Sequence, residues 1–146
     1  MKKKINKLLG QLLIEKNIIN KKQLEQGLAI QKEKGGLIGQ ILVALGYATE
    51  EEIVQAITVQ YGFPFLPLAG YEMDQDVIKI IPENVARQYG LIRVDKIGDT
   101  LTIAMANPLN IQAVEDIELI TSCNVQVFVS TLSDLSAALN KYYVKK

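Results

Sequence analysis

Apolar positions recur along the first sixty or so residues at helical spacing, and the whole pattern occurs twice. Residues 8–31, LLGQLLIEKNIINKKQLEQGLAIQ, align without a gap to residues 37–60, LIGQILVALGYATEEEIVQAITVQ, at an offset of 29 residues. Six of the 24 aligned positions are identical: Leu8/Leu37, Gly10/Gly39, Gln11/Gln40, Leu13/Leu42, Gln26/Gln55 and Gln31/Gln60. Six of the others exchange one aliphatic for another, as Leu24/Ile53 and Leu28/Ile57 do. Self-similarity at a fixed period marks one supersecondary unit used twice. Each copy reads as helix, turn, helix. Leu9, Leu12, Leu13 and Lys16 trace a helical face. Asn17 then stands where a helix end needs a left-handed residue, and Gly46 holds that place in the second copy. The second helices open on capping boxes, Asn20 to Gln23 and Thr49 to Glu52. Their apolar faces come next, at i, i+4, as Leu24, Leu28 and Ile53, Ile57. Lys32 to Gly36 (KEKGG) is expected to be a flexible joint, and the helices are expected to pack as two pairs.

The pattern changes after Gly62-Phe63-Pro64. Leu66 to Met73, with Pro67 and Gly70, reads as a linker. Pro82 opens a short helix to Tyr89, with Gly90 past its end. Leu91 to Ile97 and Leu101 to Ala106 alternate apolar and polar around Gly98-Asp99, which predicts a β-hairpin. Asn110 caps a helix to about Thr121, and Val125, Val127 and Val129 alternate as a third strand. Thr131 to Asp134 caps a last helix ending near Tyr143. The β-α-β crossover this implies is expected to be right-handed. The predicted fold is α+β: a four-helix tandem-repeat subdomain at 1–65, then a small α-β-β-α-β-α subdomain at 66–146 with a three-stranded mixed sheet.

Composition narrows the class. Nearly half of the 146 residues are apolar, enough for a packed core. No apolar run approaches the roughly 18 residues that span a bilayer, and no signal-peptide cleavage pattern is present. A single cysteine, Cys123, excludes an intramolecular disulfide and fits a reducing, cytoplasmic setting. The zero net charge hides an asymmetry: residues 1–34 hold nine Lys and three Glu, 9 − 3 = +6, and the remainder 7 − 13 = −6. Such a basic end attracts acidic partners, phosphate-bearing ligands or anionic membrane surfaces. It reads equally as a solvated helix face with a frayed terminus, and no nucleic-acid motif accompanies it.

Catalytic constellations are missing from the sequence. There is no His, which removes most general-base and metal chemistry, and no Gly-x-x-x-x-Gly-Lys-Ser/Thr loop for ATP phosphates. Cys123 lacks a His partner and reads as a buried, inert thiol. Glu50 to Glu52 fall in the first turn of a helix, where they complement its dipole. Gly10, Gly39, Gln31 and Gln60 have two readings. A helical Gly costs about 1 kcal/mol relative to Ala, so its recurrence marks close helix packing or a flat ligand against the backbone, with Gln amides reading ring edges. On the residues alone, packing is favoured.

The repeat resembles the tandem motif of the MshEN domain, found at the N-terminus of type II secretion and type IV pilus assembly ATPases. That motif is Arg-Leu-Gly-x-x-Leu-x-x-x-Gly and then Leu-x-x-x-Leu-x-x-Gln. It maps onto Leu8-Leu9-Gly10, Leu13, Asn17, Leu24, Leu28, Gln31, and onto Leu37-Ile38-Gly39, Leu42, Gly46, Ile53, Ile57, Gln60. Gln60 to Pro64, Ile81 to Ala86, Leu101 to Pro108 and Tyr142-Tyr143 are similar to the segment directly C-terminal to the repeat in these ATPases. The resemblance implies a non-catalytic docking and regulatory module that binds the cytoplasmic part of an inner-membrane assembly protein. It implies a cytoplasmic location peripheral to the inner membrane, ATP chemistry only in a downstream ATPase domain, and no nucleic-acid partner. It also implies cyclic di-GMP as a regulatory ligand. Carried over by position, the ligand residues are Leu9, Gly10, Leu13, Leu24, Leu28, Gln31, Ile38, Gly39, Leu42, Ile53, Ile57 and Gln60. The motif's Arg is Leu8 in one copy and Leu37 in the other, and its first Gly is Asn17. Leu cannot supply the planar multi-donor fork of Arg. Losing one charge-assisted hydrogen bond costs roughly 1.5–3 kcal/mol, so two losses weaken binding by about two to four decades.

Overall fold

In the computed structural model, both copies of the repeat fold as helix, turn, helix. The structure describes residues 2–68, 72, 78 and 80–143, with backbone alone for 2–8, 96 and 97. Helices α1 (Lys2–Glu15) and α2 (Lys21–Lys34) form the first copy, and α3 (Ile38–Ala44) and α4 (Glu50–Tyr61) the second. α1 is helical from Lys2, well before its apolar face begins, and it stops short of Lys16, which is exposed. The turns are left-handed at Asn17 (φ 59°) and Gly46 (φ 79°). Both capping boxes are complete. Asn20 and Gln23 exchange two hydrogen bonds of 2.8 Å, and Thr49 and Glu52 exchange two of 3.1 and 2.9 Å.

The helices do not pack as two independent pairs. α3 touches α1, α2 and α4, and its contact with α2 crosses between the copies. Gly27 permits that crossing: a Cβ there would lie 3.0 Å from Leu42 Cδ2 and 3.1 Å from Ile38 Cδ1. The copies therefore share one core, in which Leu9, Leu13 and Leu24 meet Ile38, Leu42, Ile53 and Ile57. Neither copy has enough apolar surface to bury alone, and sharing is the way a repeat closes its core.

The second half contains α5 (Glu83–Tyr89), β1 (Leu91–Ile97), β2 (Thr100–Met105), α6 (Ile111–Thr121), β3 (Asn124–Val129) and α7 (Leu132–Tyr142). The hairpin turns at Gly98-Asp99 as predicted, pairing Ile97 with Thr100 and Leu91 with Met105. A bulge between Arg93 and Asp95 shifts the register. β3 returns through α6 to lie parallel to β2, so the sheet is mixed with order β1-β2-β3. Its core gathers Ile78, Ile81, Leu91, Ile92, Ile103 and Met105 with Leu135 and Leu139 of α7.

The expected linker is more tightly held than its composition suggests. Leu66 N–H donates to the Val129 carbonyl, Val129 N–H to that of Pro64, both at 2.9 Å, and Ser130 Oγ–H bonds the Leu66 carbonyl. Phe65 thus pairs in parallel with the end of β3, and Leu68 is buried in the second core. The remainder of the expected linker falls largely outside the described residues. Val129 and Leu109, both from the second half, belong to the first core. The two halves consequently meet along an apolar seam.

Candidate functional site

Seven of the twelve candidate positions lie in the shared core. Leu9, Leu13, Leu24, Ile38, Leu42, Ile53 and Ile57 are between 0 and 7% exposed. Burying such a side chain contributes about 1.5–3 kcal/mol each, which accounts for their residue type without a ligand. Leu28 and Gln31 are half-buried, and Gln60 is exposed. The structure therefore brings the apolar members together, but as a closed frame.

The two glycines answer the question of close packing differently. Gly10, in the middle of α1 rather than near its start, faces Leu24: a Cβ there would come within 2.5 Å of Leu24 Cδ1. Gly39 faces Ile53, the equivalent of Leu24, and its Cβ would sit 3.6 Å from Ile53 Cδ1. That is ordinary van der Waals contact. In the first copy glycine is required by packing; in the second it is merely accommodated.

The glutamines also differ. Gln31 Nε2 donates to the Gly36 carbonyl at 3.0 Å, so its amide ties the KEKGG joint to the end of α2. Gln60 makes no comparable turn and stands at the surface near the end of α4. At the motif's arginine position in the second copy, Leu37 covers Gly90 of the other half. A Cβ on Gly90, whose φ is +64°, would lie 2.6 Å from Leu37 Cδ1. Leu9, Ile38, Gly39 and Ile53 border one cleft beside Leu37, but the second copy's arginine position supplies no cation of the kind the motif directs at cyclic di-GMP.

Two clefts border this region. One runs along the seam between the second copy and the α/β half, lined by Ile38, Val54, Asn107, Asn110, Thr131 and Leu132. The other lies between the KEKGG joint and α5, lined by Gln31, Gly36, Gln40, Arg87 and Gln88. The lysines of the basic end that are described with side chains, Lys16, Lys21, Lys22, Lys32 and Lys34, are exposed. Arg87 forms an ion pair with Glu83, at 2.7 Å on the surface of α5.

In the α/β half, the Tyr89 hydroxyl donates to Asp116, and that bond together with burial raises its pKa above the ordinary value. The Tyr143 hydroxyl lies 2.6 Å from the Ile81 carbonyl and 3.0 Å from that of Ile78. Burial pushes it up to about 12, with the Glu83 carboxylate adding and Arg87 opposing. Tyr89 fastens α5 to α6 and also lines the cleft beside the KEKGG joint, while Tyr143 fastens the end of α7 to residues 78 and 81. Cys123 is half-buried, less enclosed than expected, with Sγ 3.3 Å from the Thr121 carbonyl. Among the described residues no three His, Cys, Asp or Glu converge as a metal site would need, and no helix is long and apolar enough to cross a membrane.

Sequence reasoning missed what four residues do here. Gly27 has a signal there, since its equivalent in the second copy is the small Ala56. Glu50 does more than complement the dipole of α4: its carboxylate accepts from the Ser133 N–H and Oγ–H at the start of α7. Gly90 admits Leu37, and Arg93 is a buried cation on β1.

Comparison with known proteins places this arrangement. The MshEN domain family model matches residues 61–146, more than half of the chain. The chain belongs to the MshEN domain family. The matched stretch is the α/β half, whereas the tandem repeat is carried by similarity over nearly the whole chain. The type IV pilus assembly ATPase PilB of Myxococcus xanthus is 33% identical over 138 residues, 94% of this chain and 24% of PilB. PilB of Thermus thermophilus is 28% identical over 94% of this chain and 16% of its own length. This MshEN domain therefore spans a quarter or less of the length of these relatives.

Among solved structures, MshE with cdg (c-di-GMP) is 30% identical, with a TM-score of 0.66 over 92% of this chain and 98% of that one. The N-terminal domain of XpsE is 16% identical with a TM-score of 0.71 over 92% of each chain, a likeness of fold. Over these residues the MshEN domain is a regulatory or docking module, and not the catalytic ATPase domain.

Proposed function

We propose that this MshEN domain docks a secretion or pilus-assembly ATPase onto the cytoplasmic part of an inner-membrane assembly protein. It would then work in the cytoplasm, peripheral to the inner membrane, with residues 1–65 and 66–146 acting as two joined units. The observation that carries the reading is the closed apolar frame. Seven of the twelve positions that would hold a dinucleotide are buried in the core, while the sequence is similar to a pilus assembly ATPase over nearly the full length of this chain. ATP chemistry belongs to a downstream ATPase domain in such a protein.

A second reading, a cyclic di-GMP sensor using the twelve repeat positions, is favoured by one observation, the likeness to MshE with cdg. Calorimetric titration with cyclic di-GMP separates the two. The docking reading expects no heat at about 100 μM dinucleotide, an affinity floor near −5 kcal/mol, and retention of the assembly protein's cytoplasmic segment by the immobilised chain. Micromolar binding that disappears in the Gln31→Ala, Gln60→Ala double variant would defeat it in favour of the sensor.

A further inference from the structure

We propose that Leu37 and Glu50 form a two-point latch that holds the α/β half rigidly on the second repeat without any ligand. Leu37 is the N-cap of α3, yet makes no side-chain cap hydrogen bond. The corresponding position of α2, α4, α6 and α7 is Asn20, Thr49, Asn110 or Thr131, and each of these side chains does accept one. N-caps favour such residues because their oxygen satisfies a free N–H of the first turn. A leucine forgoes that bond, and its side chain goes to the seam instead, lying over Gly90 and toward Ala106. A Cβ on Gly90 would force Leu37 to shift, and the left-handed φ of +64° favours glycine there as well.

Glu50 closes the other end. Its two carboxylate oxygens take the Ser133 N–H and hydroxyl, at 2.5 and 2.6 Å. An anion there satisfies a free donor at a helix start and meets the positive end of the helix dipole. The first residue of α4 thereby caps a helix of the other half. Between the two points Leu109 and Val129 of the α/β half are already part of the repeat core. Leu37 is the positioning residue of this device, and its occupancy of the seam goes beyond a docking role for the domain.

Amide hydrogen exchange on the chain tests the latch. Leu37→Thr restores a capping oxygen to α3 while removing the apolar cover. The latch expects slower exchange within α3 and, in the same variant, about tenfold faster exchange at the Ser133 and Ala106 amides. The deep amides of Ile57 and Ile103 stay within about twofold. Glu50→Gln is the reciprocal variant and speeds the Ala106 amide without touching Leu37. An unchanged Ser133 amide in Leu37→Thr, or a uniform rise at every amide in both variants, overturns the proposal. Neither outcome bears on whether the domain docks, which the retention experiment reads separately.

Discussion

The two copies of the repeat share a frame and differ at almost every position where that frame meets its surroundings. Leu13 and Leu42 are equivalent and both fully enclosed. Gly10 is pressed by Leu24, whereas Gly39 has room before Ile53. Gln31 is tied to the KEKGG joint, while Gln60 is exposed. Leu28 is half-buried and its equivalent Ile57 completely so. The second copy lies against the α/β half, through α4 on β3 and Leu37 on Gly90, and the first does not make these contacts. A duplicated sequence has thus been placed in two environments, and even identical residues, Gly10/Gly39 and Gln31/Gln60, meet different surroundings in the two copies.

The largest expected effect tests the shared frame. Leu13→Ala and Leu42→Ala each remove a fully buried leucine and should each lose about 2–5 kcal/mol, read by urea unfolding. The copies agree here, so the two losses should match within about 1 kcal/mol. A much smaller loss for Leu13 would mean that the first copy is not part of the same core.

The next effect sets the α/β half apart from the repeats. Tyr143→Phe leaves a carbonyl of the 78–81 segment without its donor and should cost about 1–3 kcal/mol. The folded pKa of Tyr143 is raised to about 12 from an ordinary 10.0, so the native state holds the phenolic proton more tightly than the unfolded chain. Its contribution is fully present below pH 10 and is lost as pH rises through 10 towards 12. The variant should lack that part of the alkaline decline, and an identical decline in parent and variant would assign it elsewhere.

How much of this was legible from sequence depends on how far each interaction reaches along the chain. Asn17, Asn20, Gly46, Thr49 and Gly98 act within a few residues of themselves, and the turns and caps they predict are present. Glu50 was legible as a first-turn acid but not as the cap of α7, because its partner is 83 residues away. Leu66 was read as the start of a linker from Pro67 and Gly70, yet its bond to Val129 overrides that local signal. The candidate site failed to separate for a different reason. A leucine that fills a core and one that supports a flat ligand need the same residue type at the same helical spacing. Periodicity therefore found the frame and could not say which way it was used. Leu37 carried a usable hint, an apolar residue where a cap belongs, though only the fold shows what it covers.

A smaller pair of effects should have opposite signs. Gly10→Ala places a methyl 2.5 Å from Leu24 Cδ1 in an enclosed site. Overpacking of that kind costs roughly 1–3 kcal/mol, offset by about 1 from helix propensity, for a net loss of up to roughly 2 kcal/mol. Gly39→Ala meets nothing closer than 3.6 Å, so propensity acts alone and the variant should gain up to about 1 kcal/mol. Equal losses at both positions, measured by thermal unfolding, would erase the asymmetry between the copies.

The smallest effect concerns the turns. Asn17 and Gly46 hold the same left-handed corner, at φ 59° and 79°. A Cβ costs roughly 1–2 kcal/mol in that region, less for Asn because its short polar side chain bonds locally. Gly46→Ala should therefore lose about 1–2 kcal/mol, while Asn17→Ala, which already carries a Cβ, should lose less than about 1. In Asn17→Gly the relief of strain opposes the greater freedom of glycine in the unfolded chain. The two nearly cancel, leaving a change of a few tenths of a kcal/mol. A clear gain from Asn17→Gly would show that the first turn is strained where the second is relaxed, one more way in which the copies have parted.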